Sequence, residues 1–118
     1  MTIRPLFAAL AVVALAGCAA DPAPNEQMRL TEQALEQARA VGANSEDITE
    51  LKQAEDKVAR ASAEMTEGSY KDARMLAEQA ELDARLAEAR VLTLKSQEQL
   101  NVLNTRITRL RKQLAEAQ

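Results

Sequence analysis

The chain of 118 residues contains no histidine, no tryptophan and only one cysteine. Without histidine, imidazole-based catalytic triads and most transition-metal sites are excluded. A single cysteine cannot form an intramolecular disulfide bond. Phe7 and Tyr70 are the only aromatic residues, so the chain lacks the stacking surface typical of proteins that bind single-stranded nucleic acid. These absences argue against catalysis and against nucleic-acid binding.

Glycine and proline are also scarce, with three of each, and no run of alternating β-branched residues predicts a strand. Alanine, leucine, glutamate, glutamine, lysine and arginine dominate, and these residues favour helices. Beyond residue 25 only two short interruptions occur, around Gly42 and Gly68. The pattern therefore predicts an all-α protein with helices at about residues 26–41, 45–66 and 70–116.

The two interruptions carry helix-end signals. Gly42 and Gly68 are expected to end the first and second helices, since glycine adopts the left-handed conformation that closes a helix. Asn44 or Ser45 is expected to cap the second helix. Ser69 is expected to cap the third helix, with Asp72 completing a capping box.

Small residues recur at steps of three and four along the first half of the third helix. A turn at Gly68 would fold the second helix antiparallel onto this seam. The fold predicted is an antiparallel helical hairpin, or three-helix coiled-coil-like rod, with one long C-terminal helix of about 70 Å. The second helix can cover only about half of that length. The seam comprises Ala73, Ala77, Ala80, Ala84, Ala87, Val91 and Leu94.

The second half of the third helix carries a heptad pattern of large apolar residues. Such a stripe usually packs against another helix, which the hairpin is too short to supply, unless the first helix folds back against it. We therefore expect association with a second copy or with another envelope protein; the alternative is a solvated amphipathic end. This association seam consists of Leu100, Leu103, Ile107, Leu110 and Leu114.

Charge divides along the same boundary. Residues 19–94 carry 16 acidic and 9 basic side chains, whereas residues 95–118 carry 2 acidic and 5 basic ones. The basic side chains would suit anionic lipid head groups, an acidic envelope polymer or the acidic hairpin of a neighbouring copy. A solvated helix face is the alternative. This basic cluster consists of Arg106, Arg109, Arg111 and Lys112.

Two groups of carboxylates are the remaining candidates for chemistry. They lack the glycine-centred loop of a calcium site and alternate with basic residues, so solvated helix faces are favoured over a metal site. No glycine-rich phosphate loop and no activated nucleophile is evident. We expect no enzyme activity, no small-molecule substrate and no bound metal. The groups are Glu46, Asp47 and Glu50, and Glu78, Glu81, Asp83 and Glu88.

The N-terminus has the layout of a secretory signal peptide: Arg4, then an apolar run over residues 6–16. That run is shorter than the roughly 20 residues of a transmembrane helix. It ends in a lipobox-like motif, so residues 1–17 are predicted to be cleaved and Cys18 to carry diacylglyceryl and N-acyl lipid. An uncleaved anchor and ordinary cleavage are the alternatives. The motif consists of Leu15, Ala16, Gly17 and Cys18.

The motif also predicts an address. Ala19 stands where enteric-type bacteria place aspartate to retain a lipoprotein in the inner membrane, so the periplasmic face of the outer membrane is expected. Residues 18–25, rich in proline, would form a tether of about 20 Å. Residues 26–118 would form the helical domain. The protein would then be a periplasmic spacer or adaptor attached to the membrane by its lipid.

The turn that contains Gly68 and Tyr70, followed by the alanine-rich residues 77–87, resembles the domain of unknown function 4398. The resemblance covers about residues 26–95. It implies a short bacterial lipoprotein with an alanine-rich helical hairpin. Because the biochemical role of that family is not established, the resemblance implies a fold and an address rather than a mechanism.

Overall fold

The computed structural model describes residues 21–117, which form three α-helices. They are α1 (Asn25–Ala40), α2 (Thr49–Glu67) and α3 (Tyr70–Glu116). No strand occurs in this part of the chain. The predicted all-α fold with one long C-terminal helix is thus confirmed. The lipobox-like motif lies outside the described residues.

Both glycines end their helices as the sequence predicts. Gly42 has φ 98° and Gly68 has φ 79°, a region where a side chain would be strained. In each case the amide of the following residue donates to a helix carbonyl five positions earlier, over 2.9 Å. This is the hydrogen bond of a Schellman motif, which satisfies the last carbonyls of the helix.

The start of α2 differs from the prediction. α2 begins at Thr49 rather than at residue 45, and neither Asn44 nor Ser45 caps it. The side chain of Asn44 instead accepts a hydrogen bond from the amide of Glu46 at 3.0 Å, which stabilises a separate turn. Ile48 is extended at the N-cap and its side chain is buried. Burial of that side chain in the core explains the later start.

The predicted capping box at α3 does not form. Ser69 occupies the N-cap position, but its side chain makes no capping hydrogen bond. The tight turn after Gly68 ties the backbone of Ser69 to the end of α2 through a bond to the Glu64 carbonyl. The backbone connection, rather than a side-chain cap, therefore sets the start of α3.

α2 runs antiparallel to α3, as predicted from the short turn between them. Near the middle of α2, Lys57 pairs with Asp83 at 2.5 Å. Near its start, Glu50 pairs with Arg90 at 2.6 Å. Earlier residues of α2 thus lie beside later residues of α3. These ion pairs border the apolar contact between the two helices.

α1 runs parallel to α3. At the beginning of α3, Arg74 donates a hydrogen bond to the carbonyl of Pro22, just before α1. Farther along, Lys95 donates to the carbonyl of Val41, just after α1, at 2.7 Å. The chain therefore enters the bundle at the end where α2 turns into α3. The opposite end holds the connection between α1 and α2.

The core is built largely from alanine. Ala54 and Ala61 of α2 and Ala38 of α1 face the alanine seam of α3, and all three are fully buried. Small side chains let the helix axes approach closely, which offsets the lack of large core residues. Larger apolar residues fill the end nearest the connection between α1 and α2. They are Leu35, Ile48, Leu51 and Val91.

Burial along α3 stops abruptly. Val91 is 6% exposed, whereas Leu94, which the pattern placed in the buried seam, is 56% exposed. Leu94 lies beyond the end of the hairpin, where Lys95 donates a hydrogen bond to the carbonyl of Val41, just after α1. Every residue from 92 to 117 is exposed. The last part of α3 therefore extends from the bundle as a single helix, which we call the tail (residues 95–116).

Candidate association surface on the outer face of α3

The association seam lies entirely on the tail. Its five side chains are between 45% and 66% exposed. α1 was the one element whose packing the sequence left open, and it lies beside the first half of α3 instead. The association seam therefore faces solvent in the described structure. No helix within residues 21–117 is long and apolar enough to cross a membrane.

The same heptad register continues towards the start of α3. Leu86, Leu82 and Met75 occupy equivalent positions, and all three are more than half exposed. Smaller residues, Ala89 and Thr93 among them, connect these leucines to the tail. We call the stripe from Leu82 to Leu114 the outer seam. It comprises Leu82, Leu86, Ala89, Thr93, Ser96, Leu100, Leu103, Ile107, Leu110 and Leu114.

The first part of this stripe was not predicted from the sequence. Ala89, Thr93 and Ser96 interrupt the run of large residues, so the pattern appeared to begin at Leu100. The signal was present in the spacing, since Leu86 lies two heptads before Leu100. The exposure of Leu82 and Leu86 in the structure reveals this part of the stripe, because their spacing alone fits packing in the core equally well.

α3 is therefore apolar on two opposite faces. Ala84 is fully buried against the hairpin, while Leu86, two residues later, is exposed. Two residues correspond to a rotation of about 200° around a helix. One face of small residues serves the intramolecular core, and the opposite face of larger residues remains free. Because apolar residues lie on two opposite faces, α3 as a whole has no single apolar side.

The basic cluster does not form one patch. In the heptad register, Arg106 and Arg111 flank the association seam on its two sides. Arg109 and Lys112 lie on the remaining circumference, where Lys112 approaches Glu116 at 3.8 Å. The four side chains are exposed and surround the tail. They give the tail a positive charge in all directions, and only two of them border its apolar stripe.

Three of the seven carboxylates considered as cation ligands, Glu50, Glu81 and Asp83, make contacts between helices. Glu81 accepts a hydrogen bond from Gln27 of α1 at 2.7 Å. It also forms an ion pair with Arg85, in its own helix, at 2.6 Å. Both contacts hold the pKa of Glu81 below its usual value, and the hydrogen bond from Gln27 contributes the larger part. Asp83 is paired with Lys57. Within residues 21–117 no group of three or more acidic side chains is placed to hold a metal ion.

Glu50 also has a lowered pKa and an ion-pair partner on another helix. A hydrogen bond from its own backbone amide is the main reason that its pKa is lowered, and Arg90 adds to the effect. Its second oxygen, Oε2, is buried without a hydrogen-bond partner. The first oxygen is held by Arg90 at 2.6 Å. Glu50 is therefore a structural ion-pair partner at the border of the core.

Thr31 is a buried polar residue that sequence reasoning did not single out. It is fully buried, and its hydroxyl lies 2.9 Å from the carbonyl oxygen of Ala77 in α3 and 2.8 Å from that of Gln27. A hydroxyl fits here because the alanine seam brings the α3 backbone close to α1. Thr31 therefore fixes the position of α1 along α3.

Comparison with known proteins agrees with this architecture. The family model for the Domain of unknown function (DUF4398) matches residues 26–103. The crystal structure of a DUF4398 family protein from Pseudomonas aeruginosa PAO1, solved at 2.47 Å resolution, is 66% identical. It covers 82% of this chain and all of that chain, with a TM-score of 0.78. Among proteins with curated descriptions none matches. The chain belongs to the DUF4398 family, whose function is unknown.

Proposed function

We propose that this protein is a non-enzymatic lipoprotein of the cell envelope, anchored through Cys18. It acts as a periplasmic helical spacer or adaptor that associates with itself or with another envelope protein through the association seam. The observation that carries this proposal is the parallel arrangement of α1 and α3. That arrangement puts the entry of the chain and the tail at opposite ends of the bundle.

The distances suit a spacer. Pro22 lies beside Arg74, at the end of the bundle nearest the proposed lipid. From Arg74 to Leu114 the helix rises about 60 Å at roughly 1.5 Å per residue. Lipid on Cys18 would thus hold one end of the molecule at the bilayer, while the association seam would be presented far from the attachment point. The outer membrane is the proposed site, since Ala19 follows Cys18.

The absence of histidine, together with the engagement of Glu50, Glu81 and Asp83 in ion pairs, supports a role without catalysis. The lone cysteine fits lipidation, because a free thiol is unusual in an oxidising compartment. Two or more acyl chains would make the attachment stable, at about 0.8 kcal/mol for each buried methylene.

Lipidation is tested by expressing the full chain and Cys18→Ser in a Gram-negative host with labelled palmitate. We expect label on the wild type only, with the serine variant unprocessed and unlabelled. Ala19→Asp is the matched control: it should remain labelled, and it should move to the inner membrane if the enteric-type sorting rule applies. An unlabelled wild-type chain would overturn the anchor.

A second candidate function is binding to an anionic surface, either a membrane or an acidic envelope polymer. The observation in its favour is that Arg106 and Arg111 border the exposed apolar stripe on both sides, as in interfacial helices. This function predicts that unlipidated residues 19–118 sediment with anionic liposomes, and that added salt weakens the binding. Failure to sediment at low salt would exclude the membrane version.

A further inference from the structure

We propose that the outer seam binds the outer seam of a second copy of this chain, with the two α3 helices antiparallel. In this dimer the tail of each copy lies along the hairpin of the other, on the face opposite α1 and α2. The inference rests on the self-association branch of the proposed function and specifies its partner, direction and register.

The sizes of the side chains select the register. The small residues of the outer seam, Ala89, Thr93 and Ser96, all lie before its midpoint near residue 98, and only large residues follow that midpoint. An antiparallel pair can place every small residue opposite a large one, which is how two helices fill the space between them without gaps. In this register Ile107 faces Ala89, Leu103 faces Thr93, Leu100 faces Ser96, Leu110 faces Leu86 and Leu114 faces Leu82.

A parallel pair in register has no such complement. Each residue would face its own copy, so the small residues at 89, 93 and 96 would meet each other and leave a poorly filled centre. Only the two heptads of the tail would pack well. The antiparallel register instead uses the outer seam from Leu82 to Leu114, a length of about 50 Å.

The charges beside the outer seam favour the same direction. In a parallel pair, Arg106 of one copy would meet Arg111 of the other, and Arg85 would meet Arg90, so like charges would oppose each other. In the antiparallel register Arg111 lies beside Asp83 of the second copy, whose carboxylate also pairs with Lys57. The remaining flanking contacts pair a charged residue with a neutral one or two glutamines with each other, so no like charges meet across the seam.

The overall charge distribution agrees. Residues 19–94 contain 16 acidic and 9 basic side chains, and residues 95–118 contain 2 acidic and 5 basic ones. Antiparallel pairing lays the positive tail of each copy on the negative hairpin of the other. Parallel pairing would place positive beside positive and negative beside negative. Complementary potentials of this kind favour one orientation and speed up the encounter.

The outer face has room for a second helix. Asp83 and Arg90 point towards α2, and Glu81 and Lys95 point towards α1. Both neighbouring helices thus lie behind α3 with respect to Leu82 and Leu86, which are exposed. A tail seated there would make contact without displacing any element of the bundle.

The dimer is testable by disulfide trapping in residues 19–118, which contain no cysteine. This segment is expected to fold alone, because the 66% identical crystallised chain corresponds to only 82% of this one. Ala89→Cys and Ile107→Cys variants are mixed and oxidised. We expect a heterodimeric disulfide in the mixture, since the two positions share a layer, and little product from either variant alone.

The matched control is a mixture of Ala89→Cys and Leu114→Cys, which are one heptad, or about 10 Å, out of layer. It should give little product. A parallel dimer would make each single variant cross-link with itself, and that result would overturn the antiparallel inference while leaving self-association intact.

Light scattering on the cysteine-free segment should give twice the monomer mass. The mass should fall towards that of the monomer in Ile107→Glu but not in Thr108→Glu.

A cysteine-free segment that stays monomeric at high concentration, whether or not it binds anionic vesicles, would overturn the inference. It would also remove the self-association branch of the proposed function. The lipid anchor would be unaffected, since palmitate labelling of Cys18 measures it separately. The two failures are therefore distinguishable.

Discussion

The two halves of α3 share one helix and one heptad register but differ in what covers them. Over residues 70–91 one face is made of alanines and is buried by α1 and α2. Over residues 95–116 the equivalent face is polar, and the apolar residues lie on the opposite side, exposed to solvent. A seam of small residues thus marks where the chain packs on itself, and a seam of large residues stays exposed.

The largest contrast between the halves is expected from removing a leucine. Leu51→Ala takes away a fully buried side chain that packs against the first half of α3. We expect a loss of about 2–5 kcal/mol in the free energy of unfolding. Leu110→Ala, in the tail, should change it by about 0.5 kcal/mol or less in dilute, monomeric protein. Urea denaturation measures both; equal losses would contradict the division of α3.

Enlarging an alanine should also lower the stability of the protein only in the buried half of α3. Ala84→Leu forces a larger side chain between α3 and the hairpin, where no space is open. The expected loss of stability is about 1–3 kcal/mol. Ala115→Leu makes the same change on the exposed tail and should leave the midpoint of thermal unfolding almost unchanged. If both variants melt like the wild type, the alanine seam is not tightly packed.

A smaller effect is expected from the buried hydroxyl that joins α1 to α3. Thr31→Val keeps the shape of the side chain but removes its hydrogen bonding to the carbonyls of Ala77 and Gln27. We expect a destabilisation of about 1 kcal/mol. Thr105→Val removes a similar bond, to Asn101, on the exposed tail and should have little effect. A neutral Thr31→Val would mean that apolar contacts alone position α1.

The smallest effect concerns pH. Because the folded-state pKa of Glu81 is lowered, its stabilising contribution is present above its unfolded pKa of about 4.3 and is lost as pH falls through the folded value. Stability should therefore decrease in acid, and Glu81→Gln should reduce that dependence. Glu98→Gln, on the tail, should follow the wild-type curve. Thermal melts between neutral and acidic pH provide the comparison.

Much of the fold follows from local pattern. Gly42 and Gly68 end helices because their backbone conformation is strained for other residues. The alanine seam and the antiparallel hairpin follow from spacing and from a short turn. The start of α2 did not follow, because burial of Ile48 outweighed the capping preference of Asn44. Leu94 was misplaced because the end of the hairpin, rather than periodicity, decides where burial stops.

The outer seam was predictable in its tail portion, since five large apolar residues in heptad spacing need no tertiary information. Its continuation to Leu82 was not, because Leu82 and Leu86 are equally compatible with core packing until α1 and α2 are placed. The lipobox-like motif and the basic cluster remain predictions about the envelope. Thr31 carried no sequence signal, as a threonine inside a helix is usually exposed or bonded only to its own turn.

By itself, the sequence determined that most of residues 26–116 is helical, that Gly42 and Gly68 end the first two helices and that the tail carries an apolar stripe, because propensity, glycine conformation and periodicity are local properties. Only the tertiary structure decided that α1 packs parallel to α3, so that the tail points away from the end where the chain enters the bundle. Periodicity tells which face of a helix is apolar but not which neighbour covers it. That choice depends on the close fit of alanine faces and on contacts such as those of Thr31 and Lys95.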